Sequence, residues 1–279
     1  MATCVTCHAD RVTSMPSTHP SSATAAFFDV DNTIIRGASA FHLAKSAYQR
    51  KFFGTRDILR FAFIQARYLL WGENKEQIDE VRNRALSLIA GRSVAEIATL
   101  GEEVWDAVLS LRIYPGTRRL LDEHIAAGHQ VWLITATPVE IAQLIARRLG
   151  ATGALGTIAE HKDGFYTGRL NGDLMHGQAK ADAIVELSDS EDIDLDESYA
   201  YGDSLNDLPM MRVVGHPCPI NPDLRLRRHA QEVGWPIREF RGRSQRVAGR
   251  GVRTASWAGA AWVLGLVLRA ARRRLRGQP

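Results

Sequence analysis

The chain is 279 residues long and 45% hydrophobic, enough to bury a full α/β core and still hold a second module. Its net charge of +4 divides unevenly: from Arg238 onward eleven arginines meet a single acid, Glu239, so this tail carries +10 and everything before it −6. Three cysteines imply no disulfide framework and fit a reducing cytoplasm.

Residues 1–23 are rich in Ser, Thr, Pro and Ala and read as a disordered leader. Within them Cys4-Val5-Thr6-Cys7-His8 has the c-type haem attachment pattern. No apolar signal core precedes it, and two cysteines with one histidine lack a fourth zinc ligand, so neither group is assigned. The next stretch, Ala26 to Ile35, is an apolar run that delivers Asp29 and Asp31 at its end. In an extended strand both side chains would share a face. Where the strand dissolves into a loop their directions diverge, so one carboxylate can attack phosphorus while the other handles protons. Such a strand end also seats Mg²⁺, a hard cation that takes oxygen ligands. The plain alternative is a capped strand end.

From residue 37 to 111 the periodicity is helical. Helices are predicted over residues 56–71, over 74–90 opened by Asn74-x-x-Gln77, and over 93–110 opened by Ser93-x-x-Glu96, the last two being capping-box patterns. Strands resume after Pro115-Gly116. Residues 130–138 form a second apolar strand that ends on the hydroxyl of Thr135 and opens a helix. A hairpin-like stretch around residues 163–168 follows, then a helical pattern carrying Lys180, which alone would be a solvated lysine. A short strand at Ser198 to Tyr201 leads into an acidic loop with Asp203 and Asp207, four residues apart, and Pro209 in the first turn of a helix. Taken by themselves, those two acids could simply cap that helix.

Asp29-Val30-Asp31-Asn32-Thr33, Ile134-Thr135-Ala136-Thr137-Pro138, Gln178-Ala179-Lys180 and Gly202-Asp203-Ser204-Leu205-Asn206-Asp207 stand in the order of the four motifs of a known superfamily, with Asp163 to Gly168 between the second and third. From about Ala25 to about Arg238 the chain resembles the haloacid dehalogenase superfamily of phosphohydrolases, subfamily IB, which includes phosphoserine phosphatase-like enzymes. The resemblance implies a doubly wound, mainly parallel Rossmann-like α/β sheet, built from residues 24–36 and 112–240, with an all-helical cap inserted at 37–111. It implies that Asp29 is the nucleophile, forming an aspartyl-phosphate, and that Asp31 is the general acid and base. Thr135, Lys180 and backbone N–H groups near Val30 and Ala136 would neutralise the phosphoryl oxygens. Mg²⁺ would be held by Asp29, the Asp31 carbonyl, Asp203 and Asp207. Asp31 also argues for hydrolysis, since haloacid dehalogenases lack an acid/base Asp there and ion-pumping ATPases carry Thr.

Substrate choice should lie in the cap. Relatives that hydrolyse phosphoserine carry a Glu soon after the first motif to meet the amino group, whereas Arg36-Gly37-Ala38-Ser39-Ala40 contains no acid, which argues against phosphoserine. Arg36, His42, Arg60, Arg67 and Tyr68 are the polar cap candidates, and Asn206 and Ala136 the candidates for substrate or phosphate contact from the core. In the tail (241–279), residues 255–268 are uncharged and five arginines follow. Fourteen helical residues reach about 21 Å, short of the roughly 30 Å hydrocarbon core. Trp257 and Trp262 with these arginines suggest an interfacial anchor to anionic lipid, against packing on protein or a flexible appendage. No motif that reads nucleic acid accompanies the arginines. The expected function is a Mg²⁺-dependent phosphomonoesterase of the cytoplasm or the inner membrane face, acting on a small phosphorylated metabolite. The alternatives are a phospholipid or lysolipid phosphate phosphatase at the membrane surface, and a membrane-associated binding protein with a vestigial site.

Overall fold

The computed structural model describes residues 22–52 and 89–241. The Cys4, Cys7 and His8 group, the helix predicted at 56–71, nearly all of that at 74–90, Arg60, Arg67, Tyr68 and the tail beyond Arg241 lie outside the described residues. No described helix is long and apolar enough to cross a membrane.

The described strands are β1 (Ala25–Asp29), β2 (Gln130–Pro138), β3 (Gly153–Thr157), β4 (Ala159–Lys162), β5 (Phe165–Leu170), β6 (Tyr199–Tyr201) and β7 (His216–Pro217). Five form one parallel sheet in the order β3-β2-β1-β6-β7, while β4 and β5 make a separate antiparallel pair at the predicted hairpin. The described helices are α1 (Ser39–Gln49), α2 (Val94–Val104), α3 (Pro115–Ala126), α4 (Val139–Leu149), α5 (Gln178–Glu191), α6 (Leu208–Arg212) and α7 (Leu224–Val233). Helices cover both faces of the sheet, as an all-parallel sheet requires.

All five residues of β1 are buried, and their alternation divides the core in two. Ala26 and Phe28 face a cluster with Leu120 and Leu121 of α3 and Ile141 and Ile145 of α4, whereas Ala25 and Phe27 face Ile184 of α5, Met210 and Met211 of α6, and Leu226 of α7. Each phenylalanine contributes about 1.5–3 kcal/mol by leaving water. The apolar run is therefore a strand because both of its faces are needed.

The capping box at Ser93 forms: Glu96 N–H donates to Ser93 Oγ at 3.1 Å and Ser93 N–H donates to Glu96 Oε2 at 3.0 Å. The helix predicted through residue 110 differs in its second half. It is α-helical only to Val104, widens into a π turn at Trp105–Leu109, and tightens into a 3₁₀ turn at Ser110–Arg112. The wider turn keeps both Trp105 and Leu109 buried. Gly101 lets α2 lie close on α4, since a Cβ there would come within 2.4 Å of Ile141 Cδ1.

From β1 the sheet is built outward through β2 to β3 on one side, and the chain then crosses back to β6 and β7 on the other. In a doubly wound sheet this switch point opens a crevice at the carboxyl ends of the strands. Asp29 stands there, as the last residue of β1.

Candidate active site

Register brings the motifs to one level. Asp29 pairs with Ile134, so Thr135 follows it on one side, and Phe28 pairs with Tyr201, so Gly202 and Asp203 follow on the other. After Asp29 the chain turns tightly: the Val30 carbonyl accepts N–H groups from Ile34 at 3.0 Å and Ile35 at 2.9 Å, and Asn32 takes a left-handed φ of 62°. Asparagine tolerates that conformation. Its Oδ1 accepts the Gly37 N–H at 3.0 Å, fixing the loop. The turn directs Asp31 toward α1, where its Oδ1 accepts the Ser39 N–H at 2.8 Å.

Lys180, in the first turn of α5, is 4% exposed and donates from Nζ to Asp29 Oδ1 and Asp207 Oδ1, each at 2.6 Å. Asp207 Oδ2 accepts from the Ser204 N–H at 3.2 Å and the Ser204 hydroxyl at 3.0 Å. Gly202 permits this arrangement, because a Cβ there would lie 2.6 Å from the Asp207 Cβ. Carboxylate oxygens of Asp29, Asp203 and Asp207 lie within 4.8 Å of one another.

Two buried carboxylates share one ammonium, a third stands beside them, and their electrostatics record the imbalance. Burial, only partly offset by Lys180, pushes the Asp29 carboxyl up to about 7. Burial, then the charges of Asp29 and Asp207, hold the Asp203 carboxyl well above the usual range. Burial raises Asp31 too, against hydrogen bonds from Ser39. Burial disfavours the Lys180 ammonium, but Asp29 and Asp207 outweigh it and keep the amine charged. A divalent cation among these oxygens would remove the excess negative charge. An all-oxygen set with room for water and substrate suits Mg²⁺.

Thr135 is buried and donates to Thr137 Oγ1 at 3.1 Å. Ala136 is exposed at the strand end, and its carbonyl accepts the Thr157 hydroxyl at 2.8 Å. Asn206 is exposed on the 3₁₀ turn Leu205–Asp207. Arg36 Nη2 donates to the Leu111 carbonyl at 3.2 Å, and the side chain borders a depression with Val108, Leu111, Arg112 and Tyr114. The structure thus gathers Asp29, Lys180, Asp203 and Asp207, and links Asp31 toward Thr135 through Ser39 and Thr137. It shows neither Arg36 nor Asn206 bonded to that group.

Several neighbours of the site have no signature of their own in the sequence. Ser39 follows the first motif by several residues, and Thr137 and Gly202 sit inside motifs read for other members. His176, one turn before Lys180, feels the charges of Lys180 and Asp207; burial and Lys180 lower its pKa. Asn221 is fully buried with φ 48°, and its Oδ1 accepts the N–H groups of Phe240 at 2.7 Å and Arg241 at 3.1 Å. Two residues on, Asp223 N–H donates to the Asp203 carbonyl at 2.8 Å, and the Arg241 charge reaches Asp203.

A model of the haloacid dehalogenase-like hydrolase family matches residues 26–212. The chain belongs to the haloacid dehalogenase-like hydrolases. A protein named phosphoserine phosphatase from Mycobacterium tuberculosis is 52% identical over 218 residues, which cover 78% of this chain and 71% of that one. A probable phosphatase of the same organism is 36% identical over 223 residues, covering 80% of this chain and 77% of the relative. Among solved structures, a protein of unknown function from Bordetella pertussis superposes with a TM-score of 0.71 at 28% identity, covering 79% of this chain and all of its own. This haloacid dehalogenase-like hydrolase is a phosphatase.

Proposed function

We propose that the enzyme hydrolyses a small phosphomonoester in a Mg²⁺-dependent reaction that passes through an aspartyl-phosphate on Asp29. The observation that carries this reading is the buried Asp29–Lys180–Asp207 group, with Asp203 beside it, at the switch point of the sheet. Lys180 occupies Asp29 Oδ1, which leaves Oδ2 for attack. Asp29 forms the new P–O bond as the P–O bond to the leaving group breaks, and Asp31 gives the departing alkoxide its proton. A water then attacks the phosphorus, Asp31 takes its proton, and the bond to Asp29 breaks to release inorganic phosphate. The Lys180 ammonium and the Thr135 hydroxyl are the chain's donors to the phosphoryl oxygens, in a pocket dry enough to strengthen them.

The carboxylates of Asp29, Asp203 and Asp207 and the carbonyl of Asp31 would hold the metal. When bound, Mg²⁺ supplies positive charge to the phosphoryl oxygens and the nucleophilic carboxylate. Described insertion residues, including α1 and α2, belong to the helical cap of this reading, with core at 24–36 and 112–240. The cytoplasm is the compartment it implies, and the arginine-rich segment after Arg241 offers a contact to an anionic membrane face.

Phosphoserine heads the substrates to test, because a relative 52% identical carries that name. Against it stands the absence of any carboxylate between Arg36 and Ala40. Rapid quenching of the enzyme with ³²P-labelled substrates from a panel of phosphorylated metabolites, with Asp29→Asn as blank, tests the reading. Label bound to the wild type and missing from the blank is expected; hydrolysis without any enzyme-bound label would overturn the covalent route.

A further inference from the structure

Behind the carboxylate group runs a line of three hydroxyls, of which the reaction as written uses Thr135 and leaves Ser39 and Thr137 without a task. Ser39 is 0% exposed, Thr135 1% and Thr137 3%, so none can be satisfied by bulk water. They come from separate parts of the chain. Thr135 and Thr137 end β2, and Ser39 opens α1, 98 residues away from Thr137. Thr135 Oγ1 and Thr137 Oγ1 are 3.1 Å apart, Thr137 Oγ1 and Ser39 Oγ 2.9 Å, and the Ser39 N–H reaches Asp31 Oδ1 at 2.8 Å.

A hydroxyl has one proton to give, and an ionised carboxylate can only accept. Thr135 donates to Thr137, and the Ser39 and Thr137 hydroxyls share a bond in which either can be the donor. The Ser39 N–H adds one of the free amides at the start of α1, an eleven-residue helix whose N-terminal dipole favours an anion. The carboxylate is thereby held by the first residue of α1, which is itself tied to β2, and the far end of the line is the hydroxyl placed to meet the phosphoryl group.

We propose that Ser39 and Thr137 are positioning residues for the Asp31 carboxylate, holding it in the orientation from which it transfers protons and tying that orientation to Thr135. The inference rests on the reading above, in which Asp29 carries the phosphoryl group and Asp31 moves protons. Its consequence differs between the two half-reactions. A leaving group that departs as a stable anion needs no proton from Asp31, but water attacking the aspartyl-phosphate always loses one to it.

The experiment uses the full chain, Mg²⁺ and p-nitrophenyl [³²P]phosphate, and measures both the release of nitrophenolate and the fraction of enzyme that carries label in steady state. For Ser39→Ala and Thr137→Val, the rate of phosphoenzyme formation should stay within about twofold of wild type. Hydrolysis of the phosphoenzyme should slow about tenfold, so the labelled fraction should rise while KM falls, and Ser39→Thr and Thr137→Ser should restore both. Hydroxyls that merely satisfy one another in the core would lower both half-reactions together or neither. A labelled fraction that is unchanged or reduced in both deletion variants overturns the inference. Its failure is separable from failure of the parent reading, since wild-type enzyme that carries no label at all refutes the covalent route and leaves the positioning residues nothing to position.

Discussion

Replacing Lys180 by methionine should expose how much of this fold is held in tension by its own carboxylates. The ammonium's side chain is 4% exposed and those of Asp29 and Asp207 are 8% and 3%, so solvent screens neither bond. Methionine keeps the length of the side chain and removes two charge-assisted hydrogen bonds of 2.6 Å. Breaking a buried pair by deleting one partner costs about 3–5 kcal/mol, chiefly because the remaining charge is left uncompensated. Here two carboxylates are left, beside Asp203. They can relax only by taking up protons, and since Lys180 is the main influence holding the Asp29 carboxyl down to about 7, its removal leaves Asp29 largely protonated at neutral pH. A protonated Asp29 is no nucleophile, so loss of activity should reach at least the 10²–10³-fold expected for one lost transition-state donor. Urea denaturation in EDTA measures the first effect and single-turnover nitrophenolate release in Mg²⁺ the second. A variant within about 1 kcal/mol of wild type in EDTA would refute the argument that the pair is buried and mutually dependent.

The metal-free protein should lose stability as pH rises. The folded-state pKa of Asp29 lies above its ordinary value of 3.8, at about 7, so its contribution is fully present below pH 3.8 and is lost by about pH 7; Asp203 acts in the same direction. At about 1.4 kcal/mol per unit, Asp29 alone accounts for roughly 4 kcal/mol, and Mg²⁺, which binds the ionised form, should stabilise the protein more at pH 8 than at pH 5. Thermal unfolding in EDTA and in Mg²⁺ across that range checks both signs. Gly202→Ala should push Asp207 off Lys180, since the new Cβ would stand 2.6 Å from the Asp207 Cβ; a 10-fold or greater fall in kcat is expected, measured with p-nitrophenyl phosphate. Removal of residues 242–279 should leave that rate unchanged and abolish co-sedimentation with anionic vesicles, an effect that should also weaken as salt is raised.

The parts of the site that could be read from the sequence are those whose chemistry and local pattern coincide. Asp29, Thr135 and Asp203 each lie at the end of an apolar run, and the sheet register then aligns them without further help. The Ser93 capping box is equally local, needing only residues three apart. What escaped is nonlocal or too short. β7 has two residues and exists only by pairing with β6, while α1 starts without a side-chain cap. The bond between Ser39 and Thr137 joins positions 98 apart, and nothing in either neighbourhood announces it. Arg36, three residues past the first motif, reads from the sequence as a substrate candidate, and only the fold shows its guanidinium donating to the Leu111 carbonyl, 75 positions away.

A single amide fastens the exit of the polypeptide to the catalytic mouth. Asn221 clasps the backbone at Phe240 and Arg241, and the strand of loop that carries it is laced to Asp203 by the next acid along. Phe240 wedges its ring against Gly116 on the same side, where no larger residue would leave it space. The last described arginine, Arg241, is thereby held where its charge reaches Asp203. The clasp therefore braces the loop behind Asp203, so Asn221→Ala, which loosens it, should lower turnover of p-nitrophenyl phosphate.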